Sequence, residues 1–248
     1  LGGIKRIGSV AEKLIPAISI LYIIGALFIV FINIGRLPSV LEAIVIGAFA
    51  PDAVLGGAFG VGIIQSMRYG IGRGVFSNEA GLGSSPIAHA ATSETDPVKQ
   101  GLYGIFEVFA DTIVVCTLTA LTILLSGVAI PFGHAASAEL TISAFATAFG
   151  GKTAGIFIAI ETALFAISTI LSWSLYGCRC TEYLFGTRSI TTYKVVYVVF
   201  IVIGAGLQMG LAWEIADTLN GLMAIPNMIA ILALSAYVVK ANKEHFGK

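Results

Sequence analysis

Apolar residues arrive in six long runs, at 14–34, 53–74, 98–127, 153–184, 191–211 and 213–239, with proline, glycine and charge returning between them. Each run reaches the roughly 20 residues that a helix needs to cross a hydrocarbon core. The breaks fall at Pro38, Pro51, Ser84-Ser85-Pro86, Asp96-Pro97, Pro131 and Gly150-Gly151. Asp96 before Pro97 predicts an N-cap and a first helical position, and Ser85-Pro86 predicts the same for a short helix through Ala91. Segment 136–149 is mixed in polarity and too short to span, so it reads as an interfacial or re-entrant helix. The pattern predicts an all-α polytopic membrane protein of about six transmembrane helices, in a single transmembrane domain over 1–248.

Composition agrees. Of the 248 residues, 57% are hydrophobic and 11% charged, and the mean hydropathy is +0.94. An ordinary soluble domain carries roughly 25% charged residues. The net charge is zero, so no basic field for nucleic acid exists. Cys116, Cys178 and Cys180 make neither a disulfide framework nor a zinc site, and His89, His134 and His245 are scattered. Reduced thiols in or beside membrane helices are expected. The start at Leu1-Gly2-Gly3, without Met or signal peptide, leads to the expectation of sequence lost upstream.

Lysine and arginine set the orientation. With a cytoplasmic N-terminus and six alternating spans, Lys5, Arg6, Lys13, Arg73, Lys99, Arg179, Arg188, Lys194, Lys240, Lys243 and Lys248 fall inside. Arg36 and Lys152 fall outside and Arg68 lies within a span, a bias of eleven to two that places both termini in the cytoplasm.

The second run holds what lipid rejects. Gly56, Gly57, Gly60, Gly62, Gly70, Gly72 and Gly74 put seven glycines in nineteen residues, beside Gln65 and Arg68. Each glycine costs about 1 kcal/mol against alanine in a helix interior. Close helix packing is one use for them. A charge near the bilayer centre costs at least ~2.5 kcal/mol and should face a cavity or a partner. A discontinuous helix is therefore preferred, unwound within Gly56–Gly62 or near Arg68–Gly74, with exposed N–H groups that meet a small charged ligand.

The fourth run carries Ser168, Thr169, Ser172 and Ser174 around Trp173. These hydroxyls either bond back to the preceding turn or supply oxygen ligands for a weakly bound cation beside an aromatic wall. Glu107, Asp111, Glu161 and Asp217 are carboxylates within or near spans. Intramembrane acids are functional candidates, although Glu107 serves equally well as a structural clamp on Arg68 or Arg73. Nothing resembles a catalytic triad, a phosphate-binding loop or a nucleotide fingerprint, so no enzyme and no cofactor are expected.

At 72–90 the chain reads Gly-Arg-Gly-Val-Phe-Ser-Asn-Glu-Ala-Gly-Leu-Gly-Ser-Ser-Pro-Ile-Ala-His-Ala. This stretch resembles the signature of the alanine or glycine:cation symporter family. Gly2-Gly3-Ile4-Lys5-Arg6-Ile7, Pro97-Val98, Gln100-Gly101, Glu182-Tyr183-Leu184-Phe185-Gly186 and the run from Asp217 to Asn227 support the resemblance. It implies the leucine-transporter-like inverted-repeat fold, with the present spans as the fifth to tenth core helices and the N-terminal repeat missing. It implies sodium as coupling ion, alanine or glycine as substrate, and a site completed by the missing N-terminal half. Carried onto this sequence, Gly56, Gly57, Phe59 and Gly60, with Gln65, form the substrate-facing stretch. Ser168 and Thr169 fit the cation-site hydroxyls, and Trp173 fits a substrate-pocket wall. Two positions depart from the family: Ser172 stands where glycine is usual and Cys178 near a usual glutamate. Ser77–Ser85 resembles a corner and gate element, with Asn78 and Glu79 capping and pairing locally. The expected setting is the cytoplasmic membrane of a prokaryote. A proton-coupled permease of the same fold, or an inactive transporter fragment, is the rival.

Overall fold

The computed structural model describes residues 3–49, 59–130 and 138–247, with side chains from Pro16 to Gly47 and from Met67 onward within those ranges. Among the described residues every regular element is helical. Helix α1 (Gly3–Ile32) leads through a 3-10 turn (Ile34–Arg36) into α2 (Leu37–Phe49). Then come α3 (Phe59–Asn78), the short α4 (Ser85–His89) and α5 (Pro97–Val108). A π-helical segment (Phe109–Val115) joins α5 to α6 (Cys116–Ser126). Helices α7 (Ala138–Phe149), α8 (Gly151–Phe185), α9 (Ser189–Ala205) and α10 (Met209–Phe246) complete the chain.

Three described helices are long and apolar enough to cross a bilayer: Pro97–Ser126, Gly151–Phe185 and Met209–Phe246. Pro16–Ile32 and Ile34–Gly47 make a fourth span if counted as one, bent by 71°. Six spans are thus not all found. The fifth expected run is a helix of only 17 residues, because Gly206 and Leu207 interrupt it before α10. The 53–74 run lies partly outside the described residues. Helix α2 was not expected, since Pro38 was taken as a break. At the second position of a helix proline removes no intrahelical hydrogen bond, and there it starts one.

The chain forms two compact units, one of Leu1–Ser66 and Ile113–Ser172, the other of Met67–Thr112 and Trp173–Lys248. In the first unit Tyr22, Ala26 and Ile29 recur at helical spacing on α1 and bury against Phe145, Ala154 and Ile158. Phe145 is 1% exposed, so α7 packs into the core of this unit. Its ring reaches α1 because Gly25 has no side chain: a Cβ there would sit 3.0 Å from Phe145 Cε1. Arg36 Nη1 donates to the Leu125 carbonyl at 2.9 Å, placing a cation at the electronegative end of α6. Gly127, at φ +74, ends that helix in the left-handed conformation glycine favours.

In the second unit the cap expected at Asp96 is present. Its carboxylate accepts from Val98 N at 2.9 Å and Lys99 N at 3.3 Å. The Ser85 cap lies one residue earlier, at Ser84, with Ser85 as the first helical residue and no side-chain cap bond. His245 Nδ1 lies 2.9 Å from Asp96 Oδ2, tying the end of α10 to the start of α5.

Candidate functional site

The glycine-rich stretch is only partly within view. Gly56 and Gly57 lie outside the described residues, while Phe59, Gly60 and Gln65 belong to the first two turns of α3. From Phe59 to Asn78 the helix is continuous, so the break expected near Arg68–Gly74 is absent. Five glycines in that helix, together with Gln65 and Arg68, were the reason to expect it, yet the helical ladder runs through them. Arg68, expected to face a partner, is exposed and makes no ion pair among the described residues.

The C-terminal half of α3 is where the signature residues organise a site. Arg73 and Phe76, three apart, face Trp213 and Asp217, four apart on α10. Arg73 Nη1 bonds Asp217 Oδ1 at 2.8 Å, and its guanidinium lies 3.7 Å from the Trp213 ring centroid. Phe76 meets Trp213 edge-on at 5.8 Å and stacks on Trp173 at 6.5 Å. Trp173 in turn meets Tyr176 at 5.9 Å. A guanidinium held both by a carboxylate and by an indole face is fixed in two directions. This arrangement locks α3, α8 and α10 around one aromatic group. Sequence reading singled out Trp173 and missed Phe76, Tyr176 and Trp213. The helical spacing of Arg73 with Phe76 and of Trp213 with Asp217 was the available signal.

Past α3 the chain turns sharply. Asn78 Oδ1 accepts from Ala80 N at 2.9 Å, the local cap expected of it. Glu79 sits at φ +56, a left-handed conformation uncommon outside glycine. The corner is pinned from two sides. Ser77 Oγ donates to Asp111 Oδ2 at 2.7 Å and Asn78 Nδ2 to Thr112 Oγ1 at 3.0 Å. Both acceptors lie in the π-helical segment, whose wider turn re-aims them. Asn227 Nδ2 donates to the Gly81 carbonyl at 3.0 Å. Gly83 has φ +80 and passes so close that a Cβ would stand 3.1 Å from Asn227 Oδ1.

Burial pushes the Glu79 carboxyl above its usual range. The nearby Ser84 hydroxyl, Tyr176 phenol and Trp173 indole oppose the rise, and Glu107 adds to it. Ser84 Oγ is itself buried without a completed hydrogen bond. Glu107 pairs with neither Arg68 nor Arg73. It lies 3.4 Å from His89 Nε2 instead, because Arg73 is already committed to Asp217. His89 Nδ1 is 2.6 Å from Gln100 Nε2.

Ser168 is half-buried and Thr169 exposed on α8, a turn ahead of Trp173 in the same helix. Among the described residues no three His, Cys, Asp or Glu side chains converge on a metal position. Hydroxyl and carbonyl oxygens are therefore the donors open to a cation. None of the three cysteines is in a disulfide among the described residues, and Cys178 is buried.

The sequence model of the sodium:alanine symporter family matches residues 1–248. An uncharacterized transporter of Haemophilus influenzae is 41% identical over 99% of this chain and 54% of its own length. Sodium/alanine symporter AgcS of Methanococcus maripaludis is 42% identical over 98% and 53% respectively. The probable sodium/glutamine symporter GlnT of Bacillus subtilis is 40% identical over 98% and 50%. The chain thus spans about half the length of the relatives it matches. The family match runs over the whole chain and lends no support to the expectation of a missing first half. With a match of this extent, its signature stretch built into the aromatic cluster at Phe76, the chain belongs to the sodium:alanine symporter family.

Proposed function

We propose that this protein is a sodium-coupled symporter of a small neutral amino acid, alanine or glycine, in the cytoplasmic membrane of a prokaryote. The family match over the whole chain carries the reading. AgcS, named for alanine, supports that substrate, while GlnT is named for glutamine. The proposed fold is the inverted-repeat type with both termini cytoplasmic, as the eleven-to-two charge bias requires.

Transport needs no covalent step. The substrate carboxylate meets exposed N–H groups beside Gly56, Gly57 and Gly60, with Phe59, Gln65 and Trp173 shaping the pocket. Sodium binds the hydroxyl oxygens of Ser168 and Thr169 with carbonyls completing its shell. Binding of both ligands favours the state in which one bundle rocks against the other and exposes them to the opposite side. The Asn78–Ser84 corner, strained at Glu79 and fastened to the π-helical segment, serves as a cytoplasmic gate. Strain at such a turn is characteristic of moving parts.

The test is uptake by vesicles holding the protein as its cells make it. An inward sodium gradient should drive accumulation of labelled alanine or glycine, and a potassium gradient should not. Accumulation indifferent to sodium contradicts the reading.

A further inference from the structure

Helix α8 carries an acid that the proposed mechanism does not use. Ala154, Ile158 and Glu161 share one helical face and are 1%, 3% and 8% exposed. Ala154 and Ile158 belong to the apolar cluster with Tyr22, Ala26, Ile29 and Phe145. Glu161 extends that face by one turn and places a carboxyl within electrostatic range of the Tyr22 phenol.

The hydrogen bonds around Tyr22 fix what Glu161 can offer. Thr119 Oγ1 donates to the Val115 carbonyl at 2.8 Å. Its proton is thereby committed, so at the 2.6 Å contact the Tyr22 O–H is the donor and Thr119 Oγ1 the acceptor. The Tyr22 oxygen is left with acceptor capacity alone. An ionised carboxylate is also acceptor-only, whereas a protonated carboxyl carries an O–H to give. One turn from Thr119 on α6, Thr122 Oγ1 is buried with no partner.

No cation answers the acid. Among the described residues Glu161 has no ion-pair partner. Around the Tyr22 phenol stand Thr119, its acceptor, and Cys116, with Thr122 buried one turn further along α6. Helix α7 brings Glu139, exposed in its first turn, and α8 itself brings Lys152, exposed and nine residues away. Arg36 is engaged at the end of α6. A buried carboxyl in a membrane helix, with no counter-ion among the described residues and a phenol oxygen within its electrostatic range, is suited to hold a proton.

We propose that Glu161 is a proton-binding site of the transport cycle, holding its proton among Tyr22, Thr119 and Thr122 in one state of the carrier and exchanging it with water in another. An O–H bond forms on the carboxylate as one breaks in hydronium, and the return step reverses this. The inference rests on the transporter reading above.

Two readouts on the protein as its cells make it separate the two claims. Infrared difference spectra over a pH titration should show a protonated-carboxyl C=O band that is lost in Glu161→Gln and shifted in Tyr22→Phe. In vesicles holding a trapped pH dye, alanine uptake should move protons, and Glu161→Gln should abolish that movement. A wild type without sodium-driven uptake sinks the symporter reading, while the infrared band still judges the site. A band unchanged by Glu161→Gln overturns the proposal, as does proton movement that survives the substitution. A band present at every pH and indifferent to sodium and alanine also overturns it, making the proton a fixed structural one. So does a band removed by sodium at constant pH, which would assign the site to that ion.

Discussion

Arg73, Phe76, Trp173, Trp213 and Asp217 show how few side chains position the proposed site. The Arg73 pair and its indole contact are about one-third exposed, so their joint value is of order 1 kcal/mol. Asp217→Asn should lower stability by about that amount, read as an earlier melting transition in detergent; an unchanged transition would show the pair to be inert. Trp173→Ala removes the ring between Phe76 and Tyr176. Half-maximal alanine uptake should then need about tenfold more substrate, equivalent to ~1.4 kcal/mol, and an unaltered half-saturation would remove Trp173 from the pocket. Glu79 gives a pH signature. Burial raises its carboxyl in the fold, so the folded state holds this proton more tightly than the unfolded chain does. The corresponding stabilisation is present at acid pH and lost as pH rises from the ordinary value of 4.5 through the raised one. Glu79→Gln should flatten the change in melting temperature across that window; a slope equal to wild type would contradict the assignment.

At the scale of elements, local chemistry was legible and long-range pairing was not. The Asp96-Pro97 start of α5 could be read because its hydrogen bonds reach only two and three residues along the chain. Desolvation raises the Asp96 carboxyl, but the N–H groups of Val98 and Lys99 and the charges of His245 and Lys99 together outweigh it, so its pKa is lowered. The cap is therefore effective above the ordinary value and fails as pH falls through the lowered one. Asp96→Ala should speed amide exchange over 98–100 without affecting α9. The π-helical segment left no trace in composition, because one extra residue per turn changes no hydrophobic period. Yet it delivers Asp111 to Ser77 and Thr112 to Asn78. Deleting Ala110 should restore a plain helix, turn Asp111 away from Ser77 and slow uptake about tenfold or more if the corner is a gate; normal uptake by the deletion variant would make the π turn incidental. The partner of Glu107 was hidden for a related reason. Its partner depends on Arg73 being taken by Asp217, 144 residues away, which spacing alone does not reveal.

For the whole molecule, the sequence pattern carried the membrane class and the three long spans, but not the bend that joins α1 to α2. Six spans are not all found among the described residues, where α9 is a helix of only 17 residues. It anticipated Trp173 but not the ring system that holds it, since aromatic partners come from three different helices. The proposed topology rests on the charge bias. A cysteine at Ser93 should react with an impermeant reagent only from the cytoplasmic side, and one at Lys152 only from outside; the opposite pattern inverts the orientation. The central claim is that sodium and a small neutral amino acid move together. Coupling is reciprocal, so the most direct measurement loads vesicles with alanine, removes sodium gradients and follows labelled sodium. Outward alanine flow should carry sodium out against an initially equal concentration, and the flow should vanish when alanine is omitted. Sodium that stays at equilibrium while alanine leaves would contradict the account.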